Sequence, residues 1–306
     1  MKPLSNDHVN PQDYPSKDVY AVIGNPIAHS RSPLIHSHFA KQTQQAIHYG
    51  KIFAELNAFK TTVQEFFQQG GKGLNVTVPF KLEAFELAEK KTERAQLAQA
   101  ANVLWKKEGV LWCDNTDGLG LTRDLTRLLK QSGQFLKGSK VLLLGAGGAA
   151  QGVIQPLMAE GIAKLIISNR THQKAEQLVL QFQASAQSAQ IQLQAISLER
   201  LVQEADMQHS FDVIINATAS GLGHDSPIGI ENLKLLSHSK TLAYDMVYGK
   251  ETAFMRDAKE LHLKVADGLG MLVEQAAAAF EIWRNLDSTV HLDIDSAMAL
   301  VRQQMN

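Results

Sequence analysis

Cysteine is nearly absent: Cys113 is the only one in 306 residues. That rules out an intrachain disulfide and suits a reducing compartment. A surplus of one charge sign is missing too. Lys and Arg number 30 against 31 Asp and Glu, a formal net charge of −1, so no global field draws the chain to nucleic acid or an anionic membrane. No apolar run approaches the ~20 residues that span a bilayer. The first 18 residues, MKPLSNDHVNPQDYPSKD, hold three prolines and lack the apolar core of a signal peptide, so a loose extension is expected there. Metal-ligand spacing is absent: the eleven histidines are scattered, and His36 and His38 read as simple helix-face residues. No internal repeat is found. What remains is an ordinary globular composition, 44% hydrophobic and 20% charged, expected to be soluble, cytoplasmic and, at this length, two-domained.

Short apolar runs alternate with helical patterns, which predicts an α/β fold with mainly parallel sheets. Tyr20 to Ile23 reads as a buried strand ending at Gly24, followed by a helix from Pro33 to about Gln42. Gly73 to Val78 reads as a strand stopped by Pro79, then a helix from Phe80 to Lys90. Asn102–Trp105 and Val110–Cys113 flank a polar Lys-Lys-Glu-Gly turn and predict a hairpin. A helix from Gly118 to Lys130 opens the second unit, whose strands are expected at Val141–Leu144, Leu165–Ile167, Val213–Ile215 and Leu242–Met246. Gln181 to Gln194 carries no motif and reads as a helix end and loop. The last 35 residues are mostly helical, Met271–Trp283 and Ser296–Gln304, and periodicity does not decide which unit they join.

The strand at Val141 runs straight into Gly145-Ala146-Gly147-Gly148-Ala149-Ala150. A strand, a glycine turn and a helix in this order suit a dinucleotide: glycine lets the backbone turn tightly, and the N–H groups of the helix start face the pyrophosphate. The next strand ends at Ser168-Asn169-Arg170-Thr171, where an enzyme using NAD usually has a carboxylate for the ribose hydroxyls. Here Arg170 and Lys174 stand instead. Basic residues in a first helical turn oppose the macrodipole, and a guanidinium pairs well with a 2′-phosphate, so NADP is expected over NAD. Thr171 also suits a helix N-cap.

Three segments of the first domain carry polar residues at strand ends. Ser32 before Pro33 suits an N-cap followed by proline at N1, and with Ser30 it offers two neutral donors for a carboxylate. In Asn75-Val76-Thr77-Val78-Pro79-Phe80-Lys81, alternation sends Leu74, Val76 and Val78 to one face and Asn75 and Thr77 to the other. Lys81 falls in a first helical turn, where a cation is disfavoured. Asp114-Asn115-Thr116-Asp117-Gly118 is turn chemistry at the domain junction.

With the stretches VIGNPIAHSRSP, GGKGLNVTVPFK, AANVL, DNTDG, GAGGAA, SNRT, NATASG, YDMVY and DGLGMLVEQ, the chain resembles the shikimate dehydrogenase family from about Val19 to the last helix. Nine blocks in the family's order make chance agreement negligible. The resemblance implies reversible NADPH-dependent reduction of 3-dehydroshikimate to shikimate, in the pathway to chorismate and the aromatic amino acids. Beyond the loose segment expected at 1–18, it implies a three-layer α/β substrate domain at 19–117 plus 269–306, and a Rossmann-like NADP domain at 118–268, the C-terminal helices returning to the first domain. By the same resemblance Lys81 and Asp117 are catalytic. Ser30 and Ser32 bind the substrate carboxylate, and Thr77, Asn102, Tyr248 and Gln275 also contact substrate. The cofactor falls to Gly145, Ala146, Gly147, Gly148, Ala149 and Ala150, to Asn169, Arg170, Thr171 and Lys174, and to Met246 and Gly268. Lys174 replaces a common arginine, which keeps the charge and loses the fork, and Ala219 stands where many members have serine.

Lys81 beside Asp117 suits protonation of the oxygen that becomes alkoxide-like as hydride reaches the ketone carbon. A carboxylate partner and burial pull a lysine in opposite directions, so proton transfer is assigned to the pair. A quinate/shikimate dehydrogenase with broader substrate or NAD use, and a noncatalytic NADP-binding sensor, are the alternative readings. No metal, nucleic acid or membrane partner is expected. The family includes monomers and dimers, and a homodimer is favoured.

Overall fold

The computed structural model describes residues 9–218, 225–286 and 289–305. Ala219 and the first eight residues of the expected loose extension lie outside the described residues. The chain divides into two compact units: unit 1 is Met1–Gly120 with Val273–Asn306, and unit 2 is Leu121–Leu272.

In unit 1 the chain runs β1 (Asp18–Gly24), α1 (Ser32–Gln42), β2 (Ile47–Phe53), α2 (Phe59–Gln68), β3 (Gly73–Val76), α3 (Lys81–Leu87), β4 (Lys90–Lys91), α4 (Glu93–Ala98), β5 (Val103–Lys107) and β6 (Val110–Asp114). The six strands form one sheet in the order β2-β1-β3-β5-β6-β4. It is parallel at β1/β2, β1/β3 and β4/β6, and antiparallel at β3/β5 and β5/β6, the expected hairpin. The unbroken apolar run of β1 has a physical reason: both faces are covered. Val19, Ala21 and Ile23 join a core with Phe59, Val63, Phe66, Leu74 and Phe80, while Tyr20 and Val22 pack on the other face with Ile27, Tyr49 and Trp283.

The described part of the N-terminal segment is packed rather than loose. Val9 is buried in the unit 1 core, and Tyr14 stacks on His48 with ring centroids 3.6 Å apart. The strand expected to reach Val78 ends at Val76, and Val78 is 62% exposed rather than on the core face. Pro79 has no N–H to continue the ladder. The helix expected to reach Lys90 stops at Leu87, because Lys90 and Lys91 pair beside Trp112 and Cys113.

The division between units falls inside α5 (Asp117–Lys130). Unit 2 continues with β7 (Lys140–Leu144), α6 (Gly148–Ala159), β8 (Lys164–Ser168), α7 (His172–Ser188), β9 (Gln192–Ala195), α8 (Leu198–Gln203), β10 (Phe211–Asn216), α9 (Ile230–Leu236), β11 (Ser237–Asp245), α10 (Ala253–Glu260) and β12 (Lys264–Ala266). Its six-stranded sheet is parallel throughout, in the order β12-β11-β10-β7-β8-β9, the doubly wound dinucleotide-binding arrangement. Val141 and Leu143 of β7 face one core and Leu142 and Leu144 the other, so a four-residue apolar run is buried on both sides. Burial of each such leucine contributes roughly 1.5–3 kcal/mol. The motif-free stretch Gln181–Gln194 is mostly ordered secondary structure: α7 persists to Ser188, and Gln192–Ala195 is an edge strand against β8.

The second division falls inside α11 (Leu269–Arg284), which α12 (Ile294–Gln303) follows. From Val273 onward these residues group with unit 1. Trp283 Nε1 donates to Leu104 O at 3.3 Å, and Arg284 binds Asp18 and Tyr20 from Nη1 (2.5 and 3.0 Å) and Gln45 from Nε. Among the described residues no helix is long and apolar enough to cross a membrane.

Candidate active site

In unit 1, four separate segments bring polar side chains together. Lys81 opens α3, directly after the turn through Thr77 and Pro79. Asp117 opens α5, where the Asn115 side chain accepts from its backbone N–H at 3.1 Å, so DNTDG is a capped turn. Lys81 Nζ donates to Asp117 Oδ2 at 2.5 Å, with the two side chains 32% and 22% exposed. The pair is thus open to a ligand on one side and supported on the other.

The support comes from Asn102, just before β5, which is buried. Its Nδ2 donates to Asp117 Oδ1 at 2.9 Å, Thr116 Oγ1 at 3.0 Å and Gln275 Oε1 at 3.1 Å. Its Oδ1 accepts from Thr116 N at 2.8 Å, and Thr116 Oγ1 donates to Gln275 O at 3.0 Å. Lys81, Asp117, Asn102 and Gln275 therefore form one bonded cluster. Every bond to a charged member is of the stronger, charge-assisted kind.

The serines sit at the start of α1. The expected N-cap Ser32 is displaced by one residue: Arg31 is the N-cap and makes no side-chain cap bond. Ser30 takes that role, since its Oγ accepts from Ser32 N at 3.3 Å and lies 3.3 Å from Ser32 Oγ. Thr77 packs over β1, and a Cβ on Gly24 would stand 2.5 Å from its Cγ2. Tyr248 belongs to unit 2 and is half-buried.

His36 is not an ordinary helix-face residue. It is fully buried and stacks on Tyr49, with centroids 4.2 Å apart and planes 4° apart. Burial pushes its pKa down to about 3, against a smaller opposite pull from Asn75, although neither ring nitrogen meets good hydrogen-bond geometry. Tyr49 and Asn75, which sequence reasoning did not assign, are both buried. Tyr49 Oη donates to Asn75 Oδ1 at 2.6 Å, and Asn75 Nδ2 donates to Asn102 O at 3.3 Å. The stretch Asn75 to Lys81 had signalled Asn75; nothing in the alternation of β2 signalled Tyr49.

In unit 2 the glycine turn lies at the carboxyl end of β7. Gly145 adopts φ +113°, and a Cβ there would meet the Ala217 carbonyl at 3.1 Å, so both conformation and space demand glycine. Gly147 is the N-cap of α6 and offers no side-chain cap, and no atom lies within 4 Å of where a Cβ on Gly147 or Gly148 would be. Gly147, Gly148 and Ala149 are exposed, Ala146 is half-buried, and Ala150 is buried against the sheet. An uncapped helix start with no acid in its first turn and open space before it fits a phosphate group.

Thr171 is the N-cap of α7, yet its hydroxyl makes no cap bond; instead Asn169 Nδ2 donates to Thr171 O at 2.9 Å. Arg170 and Lys174 are exposed, and neither has a carboxylate partner among the described residues. Two unmatched cations at an uncapped helix start fit an additional phosphate. Met246 follows β11 and packs on the unit 2 core, and Gly268 N donates to Val247 O at 3.1 Å. Asn216 of NATASG and Asp245 of YDMVY brace the fold. Buried Asp245 accepts from Asn216 Nδ2 (3.0 Å), Thr252 Oγ1 (2.6 Å) and Val247 N (2.9 Å), which fixes the chain on either side of Met246. Among the described residues no cluster suited to a metal ion occurs.

An acid–carboxylate pair in one unit and a dinucleotide turn with unmatched cations in the other define a dehydrogenase that uses a phosphorylated nicotinamide dinucleotide. Comparison with known proteins narrows the class. Residues 22–104 match the shikimate dehydrogenase substrate binding domain, 127–242 shikimate / quinate 5-dehydrogenase, and 268–287 the shikimate 5′-dehydrogenase C-terminal domain. The shikimate dehydrogenase (NADP(+)) of Herminiimonas arsenicoxydans is 50% identical over 270 residues, 88% of this chain and 93% of that protein. The crystal structure of an Ael1 enzyme from Pseudomonas putida is 41% identical with a TM-score of 0.81, covering 92% of this chain and 97% of that one. Shikimate 5-dehydrogenase from Thermus thermophilus, solved in complex with NADP(H) and shikimate, is 31% identical with a TM-score of 0.76 over 94% of this chain and 99% of that one. The chain belongs to the shikimate dehydrogenase family.

Proposed function

We propose that this chain catalyses the reversible NADPH-dependent reduction of 3-dehydroshikimate to shikimate, a step of aromatic amino acid biosynthesis. The observation that carries this reading is the Lys81–Asp117 pair bonded through Asn102 to Gln275, in a chain of this family. The Gly145–Ala150 turn would hold the cofactor pyrophosphate, Asn169 to Thr171 with Lys174 its 2′-phosphate end, and Met246 and Gly268 the nicotinamide end. When bound, NADPH supplies the hydride for the ketone carbon.

The remaining work falls to the chain's own groups. Lys81 Nζ donates a hydrogen bond to the ketone oxygen, stabilises the charge that gathers there, and then gives up a proton. Asp117 anchors the ammonium from the other side, and the reverse reaction runs through the same two groups. Asn102 holds Asp117 Oδ1, so the carboxylate does not swing when the lysine turns to substrate. Ser30 and Ser32 hold the substrate carboxylate with neutral donors; Thr77, Asn102, Tyr248 and Gln275 bind the rest of it. Neutral donors attract a carboxylate without competing for the catalytic lysine.

The test is oxidation of shikimate and of quinate with NADP and with NAD, four assays on one preparation. Shikimate with NADP is expected to be turned over fastest; faster turnover with quinate or NAD overturns the reading. The same reading takes the protein as a cytoplasmic homodimer, which light scattering of the purified protein checks for the assembly.

A further inference from the structure

On the reading of Lys81 and Asp117 as the proton-transfer pair, we propose that Asn115 is a positioning residue: its side-chain amide ties the start of α5, where Asp117 stands, to the segment that holds the backbone of Lys81, and so keeps the two groups in register.

The tie is a line of three hydrogen bonds. Asn115 is 5% exposed, and both ends of its amide are used. Its Oδ1 accepts from Asp117 N at 3.1 Å, and its Nδ2 donates to Ala100 O at 3.1 Å. The following residue, Ala101, donates its N–H to Lys81 O at 2.9 Å. One side chain thus stands between the backbones of two residues that are 36 positions apart. Its part differs from that of Asn102, which bonds the Asp117 carboxylate itself. Asn102 fixes where the carboxylate points, and Asn115 fixes where the residue stands. The residue type follows from this. A helix cap needs only an acceptor, which serine supplies about as well as asparagine. Asparagine adds a donor at the other end, and Ala100 O takes it.

Asn115 is itself held from behind. Its N–H donates to Asp114 Oδ1 at 2.7 Å. Asp114 is 1% exposed and also accepts from Thr92 Oγ1 at 2.6 Å, from Arg94 Nε at 3.1 Å and from Arg94 Nη2. Thr92 caps α4, its Oγ1 accepting from Ala95 N at 3.3 Å, and Ala100 lies two residues past the end of that helix. The Asp114–Asp117 turn is therefore clipped to both ends of α4, through Thr92 and through Ala100. A short helix acts as a splint, and Asn115 carries its stiffness to the catalytic pair. Misplacement of a reacting group by a fraction of an ångström is enough to slow a proton transfer without weakening substrate binding.

Steady-state kinetics of Asn115→Ala, Asn115→Ser, Lys81→Ala and the Lys81→Ala/Asn115→Ala double variant test this. Asn115→Ala is expected to lower kcat about tenfold, with the shikimate KM within about threefold and the NADP KM unchanged. Asn115→Ser restores an acceptor for Asp117 N but does not reach Ala100 O. It is expected to unfold in urea closer to the parent than Asn115→Ala does, yet to keep the lowered kcat. The double variant is expected to have a kcat within about twofold of Lys81→Ala alone, because Asn115 acts through the pair. Recovery of kcat in Asn115→Ser would reduce the residue to a helix cap and overturn the proposal. So would a rise of both KM values in step with the fall of kcat, or a further tenfold loss in the double variant, since general damage to the fold multiplies. If Lys81→Ala is slow while Asn115→Ala turns over normally, the proposal alone falls. If Lys81→Ala keeps near-normal turnover, the reading of the pair falls and takes the proposal with it. Should Asn115→Ala fold poorly, Asn115→Ser carries the same comparison, alone and combined with Lys81→Ala.

Discussion

The polar groups of unit 1 are bonded to one another, whereas those of unit 2 are left open. Lys81, Asp117, Asn102, Thr116 and Gln275 satisfy each other before any ligand arrives. Arg170 and Lys174 have no carboxylate among the described residues, and the starts of α6 and α7 have no side-chain caps. Under the proposed function, the difference follows from what each unit must meet. A proton-transfer pair has to be held to a few tenths of an ångström, so it is built into a network. A polyanion brings its own charge and acceptors, so a site for it is best left with donors and cations unspent.

The contrast can be broken in order of expected effect. Lys81→Ala removes the proton donor and is expected to lower kcat about a thousandfold, with the shikimate KM changed only a few-fold, by steady-state assay. Near-normal turnover would sink the assignment. Arg170→Ala combined with Lys174→Ala is expected to raise the NADP KM about a hundredfold and leave the NAD KM nearly untouched, since only the former carries the extra phosphate. Equal losses for both cofactors would place those cations elsewhere. Ser30→Ala is expected to raise the shikimate KM about tenfold with little change in kcat. A further effect is one of stability. His36 titrates near 3 in the folded chain against 6.5 as its ordinary value. Its neutral form therefore stabilises the fold fully above 6.5, and this contribution is lost as pH falls toward 3, at up to about 1.4 kcal/mol per pH unit. His36→Phe is expected to flatten urea-unfolding stability between about pH 6 and pH 4; an unchanged slope would contradict the depressed value.

The same contrast decides what was legible. Unit 2 announces itself because strand, glycine turn and helix are contiguous, and because Arg170 stands where a carboxylate would be expected. Lys81 was legible as a cation at a helix start, and Asp117 as turn chemistry, but their contact joins positions 36 residues apart. Tyr49 was invisible because Ile47–Phe53 alternates poorly: its burial comes from α1 and the C-terminal helix, not from its own neighbours. Val78 shows the opposite failure, where alternation ran on past the point at which Pro79 ends pairing. The edge strand Gln192–Ala195 escaped because a peripheral strand with one buried leucine has no hydrophobic signature.

Division of the chain inside α5 and α11 has a bearing on how the protein is made. Unit 2 is one uninterrupted stretch, while unit 1 is written in two pieces that bracket it. During vectorial synthesis the first 120 residues emerge without Gln275, Trp283 or Arg284, so Asn102 lacks one of its acceptors and the Tyr20–Tyr49 face lacks its tryptophan. Unit 2 is therefore able to close on the ribosome first, although it is encoded second. The unit that carries Lys81 waits, incomplete, until residues 273–306 have been read.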